Sequence, residues 1–373
     1  MLLPTSWTDR WLAIRNRLIA SARFRRWAAG TPLVRRIAHR QTGALFDLVA
    51  GFVYAQVLYA GVRVKLFDHL AAGPLSIDEV ARRTGLPPAS AELLLSAAAS
   101  LRLVEPAGQG RFALGMLGAA LQAQPGVSAM IEHHALLYAD LADPVALLRD
   151  DPAPRRLADF WAYARSADPA HVSDADVAAY SALMAASQSF IADDVLDAYP
   201  VARHEHLLDV GGGEGAFLIA AGRRAPDLRL SLFDLPAVAA RATVALADAG
   251  LSARSDVIGG NFLRDPLPHG ADLITLVRVL HDHGDAAATS ILRAIHVALR
   301  DGGTLVIAEP MAGTDGAAPM GAAYFGFYLK AMGSGRPRTS EEIRRLLAEI
   351  GFRDARILAT RTPLLVRVIA ARK

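Results

Sequence analysis

The feature that most constrains the fold is the stretch 206–215, His-Leu-Leu-Asp-Val-Gly-Gly-Gly-Glu-Gly, in which an apolar strand runs into a glycine-rich loop. Because glycine has no side chain, Gly211, Gly213 and Gly215 allow backbone amides and the N-terminus of a following helix to approach a ligand closely. Asp234 lies nineteen residues beyond the last of these glycines, where a second strand would end. Its carboxylate is placed to accept both hydroxyls of a ribose. The pattern predicts a nucleotide-binding loop.

The same loop suits NAD and S-adenosylmethionine, so the choice between redox chemistry and methyl transfer depends on the region 272–310. A predicted strand 272–280 ends in His-Asp-His-Gly-Asp at 281–285, and a helix to Arg300, a glycine break and a strand 304–309 follow. In this order the chain resembles the class I S-adenosylmethionine-dependent O-methyltransferases of the small-molecule, plant and bacterial natural-product type, over most of its length. The resemblance implies S-adenosylmethionine as methyl donor and a homodimer.

Composition indicates a globular protein with two domains. The chain has 373 residues, of which 53% are hydrophobic and 21% charged, and this is enough for a large core. There is no cysteine, which excludes disulfides and thiolate metal sites and fits a reducing compartment. The longest apolar region, 45–62, is interrupted by Asp47 and Gln56, so we expect no membrane span of roughly 20 uninterrupted apolar residues. No signal peptide is expected either, and we predict a cytoplasmic protein.

Residues 1–40 form a basic arm. They contain nine arginines and one acidic residue, for a net charge of +8, whereas the rest of the chain carries 31 basic and 36 acidic residues, or −5. Trp7, Trp11, Ile14 and Leu18 recur at helical spacing, which is typical of a helix lying on an anionic membrane. A dimer-forming or poorly ordered extension fits equally well. Nucleic acid fits less well, because no basic surface with interleaved aromatic residues continues past the arm.

The sequence predicts a winged helix after the arm. A helix is expected over 44–70, Ser76 is placed to cap the next one, another helix follows at 89–101, and 103–114 has the pattern of a hairpin. The helix 89–101 is nearly uncharged, so it does not fit a DNA-reading role. The resemblance implies that this module dimerises the protein and shapes the substrate pocket.

From residue 206 onward, strands are predicted to alternate with helices, which indicates an α/β, Rossmann-like domain with a mostly parallel sheet. The last two strands, expected at 355–362 and 364–371, are separated only by Pro363 and must therefore be antiparallel. We predict four parts: the arm 1–40, the winged-helix dimerisation domain 41–120, a helical bridge with part of the substrate pocket 121–200, and the S-adenosylmethionine-binding domain 201–373.

Methyl transfer from a sulfonium needs no metal, so the protein's tasks are alignment and removal of the acceptor's proton. His281, at the end of a predicted parallel strand, matches the histidine of the family's His-Asp motif and is the candidate general base. Glu309, at the end of the next strand, is placed to orient its imidazole. The chain departs from plant relatives at Pro337, where they have a second glutamate, so the third member of a catalytic triad is missing or replaced.

Further cofactor contacts follow from the resemblance. Asn261 stands where the family has an aspartate on the adenine side, and its carbonyl oxygen still accepts a hydrogen bond. Arg278 stands at the position of a family lysine, or else pairs with Asp272 or Asp282. We predict that Asp209 orders the glycine loop and that Asp282 and Asp285 cap the following helix. The predicted cofactor-binding residues are Asp209, Gly211, Gly213, Asp234, Asn261, Phe262 and Arg278.

The acceptor is predicted to be apolar. The segment 324–332 is large and apolar, and together with stretches at 15–24, 45–54 and 132–141 it resembles the O-methyltransferases of purple photosynthetic bacteria that act on the tertiary hydroxyl of acyclic carotenoids. Such a substrate lives in a membrane, which would give the arm a purpose. His133 and His134 diverge by about 100° on a helix and do not predict a metal site. The predicted pocket residues are His134, Met184, Phe327, Tyr328 and Met332.

Three rival hypotheses remain. A sibling enzyme would methylate a phenol or polyketide hydroxyl. A non-catalytic ligand-binding protein on the same fold would explain Pro337 and Asn261, although the presence of His281 and Glu309 argues against it. An NAD-dependent reductase would be supported by hydride transfer or by preferential binding of NADH.

Overall fold

The computed structural model of the chain describes residues 7–161, 183–184, 188 and 191–373. It separates into two compact units, Met1–Ala123 and Gln124–Lys373. Within the predicted bridge 121–200, most of the stretch 162–190 lies outside the described residues.

The first unit opens with two short helices and one long helix. The single helix predicted over 44–70 is wrong in its bounds, because the chain forms a helix from Pro32 to Arg63 and then a separate short helix. Lys65 divides the two, since its φ of 54° is left-handed and a right-handed helix cannot continue through it. The helices of this unit are Trp7–Ala20, Ala22–Gly30, Pro32–Arg63, Leu66–Ala71, Ile77–Thr84, Pro88–Ser100 and Met116–Gln122.

The long helix Pro32–Arg63 leaves an apolar side in solvent. Phe46, Val49 and Val53 are 64%, 63% and 46% exposed, so they do not belong to the core of this chain. By length and mean hydropathy, the span Val34–Arg63 is apolar enough to cross a membrane. A helix that packs against a second protein chain also presents an exposed apolar side of this kind.

The predicted helix pair and hairpin of the winged helix are present. The Ser76 hydroxyl accepts a hydrogen bond from the Glu79 amide, and Glu79 in turn accepts one from the Ser76 amide, which starts the helix Ile77–Thr84. Gly85 ends that helix with a φ of 71°. The hairpin is antiparallel, and the strands of this small sheet are β1 (Leu75–Ser76), β2 (Val104–Ala107) and β3 (Arg111–Leu114).

The second unit is built on a seven-stranded sheet with the order β6-β5-β4-β7-β8-β10-β9. Strands β4 to β8 are parallel, and β10 runs antiparallel to both β8 and β9. The predicted antiparallel last strand is confirmed, but residues 359–366, rather than Pro363 alone, connect β9 to β10. The strands are β4 (His206–Val210), β5 (Arg229–Asp234), β6 (Ser255–Gly259), β7 (Leu273–Val277), β8 (Thr304–Glu309), β9 (Arg353–Leu358) and β10 (Arg367–Arg372).

Helices cover both faces of this sheet, and two apolar clusters form the core. Residues 191–198 are helical, and a π-helical turn, Pro319–Tyr324, leads into Phe325–Met332. The other helices are Pro125–Asp140, Pro144–Arg149, Arg156–Phe160, Ala216–Arg224, Pro236–Asp248, Asp285–Ala298 and Ser340–Ile350.

The strand order reverses direction between β4 and β7. The chain moves outward from β4 through β5 to β6 and then returns to β7, so the loops that follow β4 and β7 leave the sheet side by side. A Cβ on Gly211 would lie 2.7 Å from a methyl carbon of Val279, which shows how closely these two loops approach. Ligands of open α/β sheets bind at such a switch point, outside the carboxyl ends of the strands.

The four-part division of the chain stays a prediction. The helix Pro32–Arg63 runs past residue 40 without a break, and the described residues after Gln124 belong to the same compact unit as the sheet.

Candidate active site

The glycine loop after β4 adopts a conformation that requires glycine. Gly211 and Gly213 have φ values of 71° and 59°, in the left-handed region. The Gly213 amide donates a hydrogen bond to Asp234 Oδ2 at 2.8 Å, which joins the loop to the end of β5. Apart from Gly213 and its two chain neighbours, no atom of the described residues lies within 4 Å of the position that a Cβ on Gly213 would take. The loop therefore offers free space beside backbone amides and a carboxylate, as a nucleotide requires.

The buried carboxylate of Asp209 and the half-buried carboxylate of Asp234 flank this loop. Burial raises the pKa of Asp234 to about 6, against the effect of the Gly213 and Leu235 amides, which favour the charged form. Burial likewise raises the pKa of Asp209 to about 7. Asp209 Oδ1 accepts from the Thr275 hydroxyl at 2.6 Å, and its Oδ2 has no partner among the described residues. Since Asp209 is almost fully buried behind the loop, it is placed to support the loop rather than to face its open side.

Asn261 and Phe262 follow β6. Asn261 is 6% exposed, and its side-chain oxygen accepts a hydrogen bond from the Leu263 amide at 3.0 Å. A second lone pair remains on that oxygen. Phe262 is half-buried and packs edge to face on the His283 ring, with centroids 5.3 Å apart. Its position fits both a core residue and one wall of a ligand site.

Arg278 lies just outside β7, not within the longer strand that the sequence predicts. Its φ of 60° turns the chain out of the sheet at Val277, and its amide donates to the Ala308 carbonyl at 2.8 Å. Asp272, one of its suggested partners, instead accepts hydrogen bonds from His204 and from the backbone at Glu205 and His206. The turn brings the chain to the His-Asp motif within three residues.

His281 and Glu309 meet at the carboxyl ends of β7 and β8. Glu309 is fully buried, and its Oε2 accepts from the His281 amide at 3.0 Å and lies 3.3 Å from His281 Nδ1. On the other side of the ring, Nε2 lies 3.1 Å from Asp282 Oδ1. Burial lowers the pKa of His281, but the carboxylates of Asp282 and Glu309 outweigh burial and hold the pKa above its ordinary value. An imidazole between two carboxylates is suited to accept and hold a proton.

The prediction that Asp282 and Asp285 cap the following helix is wrong. The N-cap residue of Asp285–Ala298 is Gly284. The carboxylate of Asp285 instead accepts from Arg338 Nη2 at 2.8 Å, and that of Asp282 lies 3.1 Å from His281 Nε2. Arg338 is fully buried, and the sequence prediction missed it because its partners lie more than fifty residues away. The only clue was its place beside Pro337, where the chain departs from plant relatives.

Four of the five predicted pocket residues share one apolar cluster. Tyr328 and Met332 are buried in it, and Phe327 and Met184 pack against it. Phe325, on the same helix, lies with its ring centroid 6.0 Å from that of His281. Phe325 also packs on Tyr324, which contacts the cluster, so aromatic contacts link the cluster to the candidate base.

The polar atoms of this cluster are paired within the protein. The Tyr328 hydroxyl accepts from Trp161 Nε1–H at 3.1 Å and lies 2.8 Å from His133 Nε2. His134 Nε2 lies 2.7 Å from the Tyr324 hydroxyl. Burial lowers the pKa of both histidines, that of His133 to about 4, so both are neutral near pH 7. The two histidines thus serve different tyrosines, and no group of three metal-ligating side chains occurs in the part of the chain that the structure describes.

The fold and the arrangement of the site define a methyltransferase with a Rossmann-like domain. The sequence profile of the O-methyltransferase domain matches residues 138–353, and that of the O-methyltransferase dimerisation domain matches residues 46–123. The chain belongs to this O-methyltransferase family and is an enzyme of that class. The dimerisation domain also supports a homodimer.

Individual relatives cover nearly the whole chain. The demethylspheroidene O-methyltransferase of Cereibacter sphaeroides is 44% identical over 95% of this chain and 93% of its own, and that of Rhodobacter capsulatus is 43% identical over 96% and 89%. The solved structure of human N-acetylserotonin methyltransferase in complex with S-adenosylmethionine is 27% identical, with a TM-score of 0.72 over 89% of this chain and 97% of that one. The predicted family and fold class are confirmed.

Proposed function

We propose that the chain transfers the methyl group of S-adenosylmethionine to the tertiary hydroxyl of an acyclic carotenoid, acting as a cytoplasmic homodimer. The observation that carries this proposal is the 44% identity, over 95% of the chain, to a demethylspheroidene O-methyltransferase. When bound, S-adenosylmethionine supplies an electrophilic methyl group and leaves as S-adenosylhomocysteine. The tasks left to the protein are alignment of the acceptor and removal of its proton.

The glycine loop supports binding of this donor. The free space beside Gly213 leaves room for the ligand, and Asp234 stands at the end of β5, where a carboxylate binds ribose hydroxyls. Asp209 supports the loop from behind. The residues assigned to the cofactor are Asp209, Gly211, Gly213, Asp234, Asn261, Phe262 and Arg278.

His281 is the general base. Glu309 orients the ring by accepting a hydrogen bond from Nδ1–H, and Nε2 takes the acceptor's proton as the acceptor oxygen attacks the methyl carbon. A tertiary alcohol is a very weak acid, so the proton leaves during the attack and not before it. Asp282, 3.1 Å from Nε2, takes the place of the acid that is absent at Pro337, because it supplies the second carboxylate that stabilises the imidazolium.

The apolar cluster favours a carotenoid over a phenol or polyketide with several polar groups. Its tyrosine hydroxyls, indole and imidazoles are already paired within the protein. A long hydrocarbon with one hydroxyl needs a single hydrogen-bonding partner, which His281 provides. The residues assigned to the acceptor pocket are His134, Met184, Phe327, Tyr328 and Met332.

The basic arm attaches the enzyme to an anionic membrane, where a carotenoid dissolves. No residue of the helix Trp7–Ala20 is buried, and Trp7 is 91% exposed. At 3.6 residues per turn, its apolar stripe spans about 60° and arginines border both sides, so the charged groups reach lipid headgroups while the stripe enters the interface. The stripe consists of Trp7, Trp11, Ile14 and Leu18, and its borders are Arg10, Arg15 and Arg17.

Cosedimentation with vesicles tests the arm. The deletion of residues 1–31 ends just before the long helix, which begins at Pro32. The shortened variant should no longer sediment with vesicles containing phosphatidylglycerol, and salt should release the intact protein from them. Vesicles of phosphatidylcholine alone are the control for charge. Equal sedimentation of the two proteins with the anionic vesicles would overturn the membrane role.

The proposed reaction is tested by incubating the protein with labelled S-adenosylmethionine and a detergent-dispersed hydroxylated acyclic carotenoid, with a panel of phenols in parallel. We expect the methyl ether of the carotenoid, identified by mass, and its absence with His281→Ala, which should still bind the cofactor. Methylation of phenols alone would overturn the acceptor. Cofactor binding without any product would favour a non-catalytic protein.

A further inference from the structure

One buried arginine holds the loop that carries His281 from both sides. Arg338 Nη1 donates to the carbonyl of Leu280 at 2.9 Å, and Nη2 donates to the carbonyl of His283 at 2.8 Å. The same guanidinium binds Asp285 Oδ1, at 2.8 Å from Nη2 and 3.2 Å from Nε. Among the described residues, Arg338 is the one arginine with no exposed surface. Its hydrogen bonds span the base, from the residue before it to the helix after it.

The residues just before Arg338 bind the two carbonyls in between. The His281 carbonyl accepts from the Arg336 amide at 3.0 Å, and the Asp282 carbonyl accepts from the Ser334 hydroxyl at 2.9 Å. Gly335 leaves no room between the two segments, since a Cβ there would lie 2.1 Å from the His281 carbonyl oxygen. Four consecutive carbonyls, 280 to 283, are thus all held by residues 334–338.

Arg338 is also connected to the strand that carries Glu309. Its own carbonyl accepts from the Ala312 amide at 2.9 Å, three residues beyond Glu309, and Ala312 pairs with Thr339 as an isolated bridge. The backbone of Arg338 is therefore bound to the loop after β8, while its side chain is bound to the loop after β7.

We propose that Arg338 is a positioning residue for methyl transfer, which fixes the loop 280–283 where the His281 ring meets Glu309. The inference rests on the proposed role of His281 as base. A general base must lie within hydrogen-bonding reach of the proton it removes, and a misplacement of about 1 Å lowers turnover by about 100-fold. Arg338 does not touch the reacting atoms, so it acts on turnover and not on cofactor affinity.

The test compares Arg338→Ala with Arg254→Ala. Arg254 is a matched control, because its guanidinium also donates to three carbonyls, those of Gly222, Ala225 and Leu228, away from His281. We expect both variants to melt at a lower temperature. Only Arg338→Ala should lose kcat, by about 100-fold, with the Kd for S-adenosylmethionine within about twofold of the wild-type value and with partial recovery in millimolar methylguanidinium.

Three results would overturn the proposal: a kcat of Arg338→Ala within about threefold of wild type, an equal loss in Arg254→Ala, or no recovery with methylguanidinium. If Arg338→Ala does not fold, Gly335→Ala displaces the same loop by steric contact and should lower kcat without weakening cofactor binding, and an unchanged kcat would then overturn it. A separate measurement on His281→Ala distinguishes the two failures. Retained turnover in that variant would show that His281 is not the base, whereas an unchanged kcat in Arg338→Ala would show that Arg338 does not position it.

Discussion

Replacing Glu309 with glutamine should remove a charge from the site with little change in shape. The glutamine oxygen can still accept hydrogen bonds from the His281 amide and from Nδ1, which now lie 3.0 and 3.3 Å from Glu309 Oε2. What the variant loses is the negative charge that, in the proposed mechanism, stabilises the imidazolium formed when His281 takes the acceptor's proton. Turnover should therefore fall while binding of S-adenosylmethionine persists.

The size of the loss follows from the geometry. Two unit charges about 4 Å apart interact by about 4 kcal/mol at an effective dielectric constant near 20. The charges of a carboxylate and an imidazolium are spread over each group, and Asp282 keeps its charge 3.1 Å from Nε2. We therefore take about half of that interaction, about 2 kcal/mol, which corresponds to a fall in kcat of about 30-fold.

Glu309→Gln also changes the pKa of His281, which opposes the loss of kcat and determines the pH at which the two proteins should be compared. Glu309 is one of the two carboxylates that raise the pKa of His281, so the variant should have a lower pKa and more neutral imidazole near pH 7. This gain vanishes above the wild-type pKa, where both proteins are deprotonated. Methyl transfer to the hydroxylated carotenoid should thus be compared over a pH series from about 6 to about 10, and the plateaus should be used.

The control for Glu309→Gln is Asp194→Asn. Asp194→Asn alters another buried carboxylate, which accepts from the Thr362 amide outside the site, and should reduce thermal stability without lowering plateau kcat. In Glu309→Gln the acidic limb of the profile should move to lower pH. A plateau kcat within about threefold of wild type, with an unmoved limb, would refute the role of Glu309.

Three further outcomes are expected. Asp234→Asn should raise the Kd for S-adenosylmethionine by about tenfold or more, measured by calorimetry, with kcat at saturation nearly kept, because it alters the carboxylate bound to Gly213. Tyr328→Phe should lower the free energy of unfolding by about 1 to 3 kcal/mol in urea titrations, since the indole of Trp161 loses its partner. The pKa of His133 in the folded protein is about 4, below its ordinary value of 6.5, so the stability that neutral His133 contributes above pH 6.5 is lost as the pH falls from 6.5 toward 4. Over this pH interval the melting temperature should drop more than it does in His133→Gln.

The strand ends at the switch point were predictable where an apolar run stops at a polar residue, as at Asp234 and Glu309. The end of β7 was not, because Val279 and Leu280 continue the apolar pattern although the chain has left the sheet at Val277. These two residues are buried by other contacts, Val279 beside Gly211. Hydrophobicity alone does not distinguish burial in a strand from burial in a turn.

The candidate site likewise contains residues that the sequence could predict and residues that it could not. His281 and Glu309 follow neighbouring predicted strands, and the carboxyl ends of parallel strands lie together, so their meeting could be expected. The importance of Arg338 could not be expected from the sequence. Its guanidinium binds backbone carbonyl oxygens 55 and 58 residues away, and since every residue has a carbonyl, no residue type marks these partners. The capping error at Asp285 has the same origin, since a distant arginine competes for its carboxylate.

The contact at Nε2 links acceptor binding to the pKa of His281, which neighbouring carboxylates hold above its ordinary value. In the proposed mechanism Nε2 is the nitrogen that reaches the acceptor, and it lies 3.1 Å from Asp282 Oδ1. An acceptor hydroxyl bound at Nε2 moves the Asp282 carboxylate away from direct contact with the ring, which weakens one of the effects that raise the pKa while the charge stays nearby. Binding of the alcohol therefore prepares the neutral base. In the same pH series, the acidic limb of kcat, which reports the complex, should lie below that of kcat/KM, which reports the free enzyme, and coincident limbs would contradict this coupling.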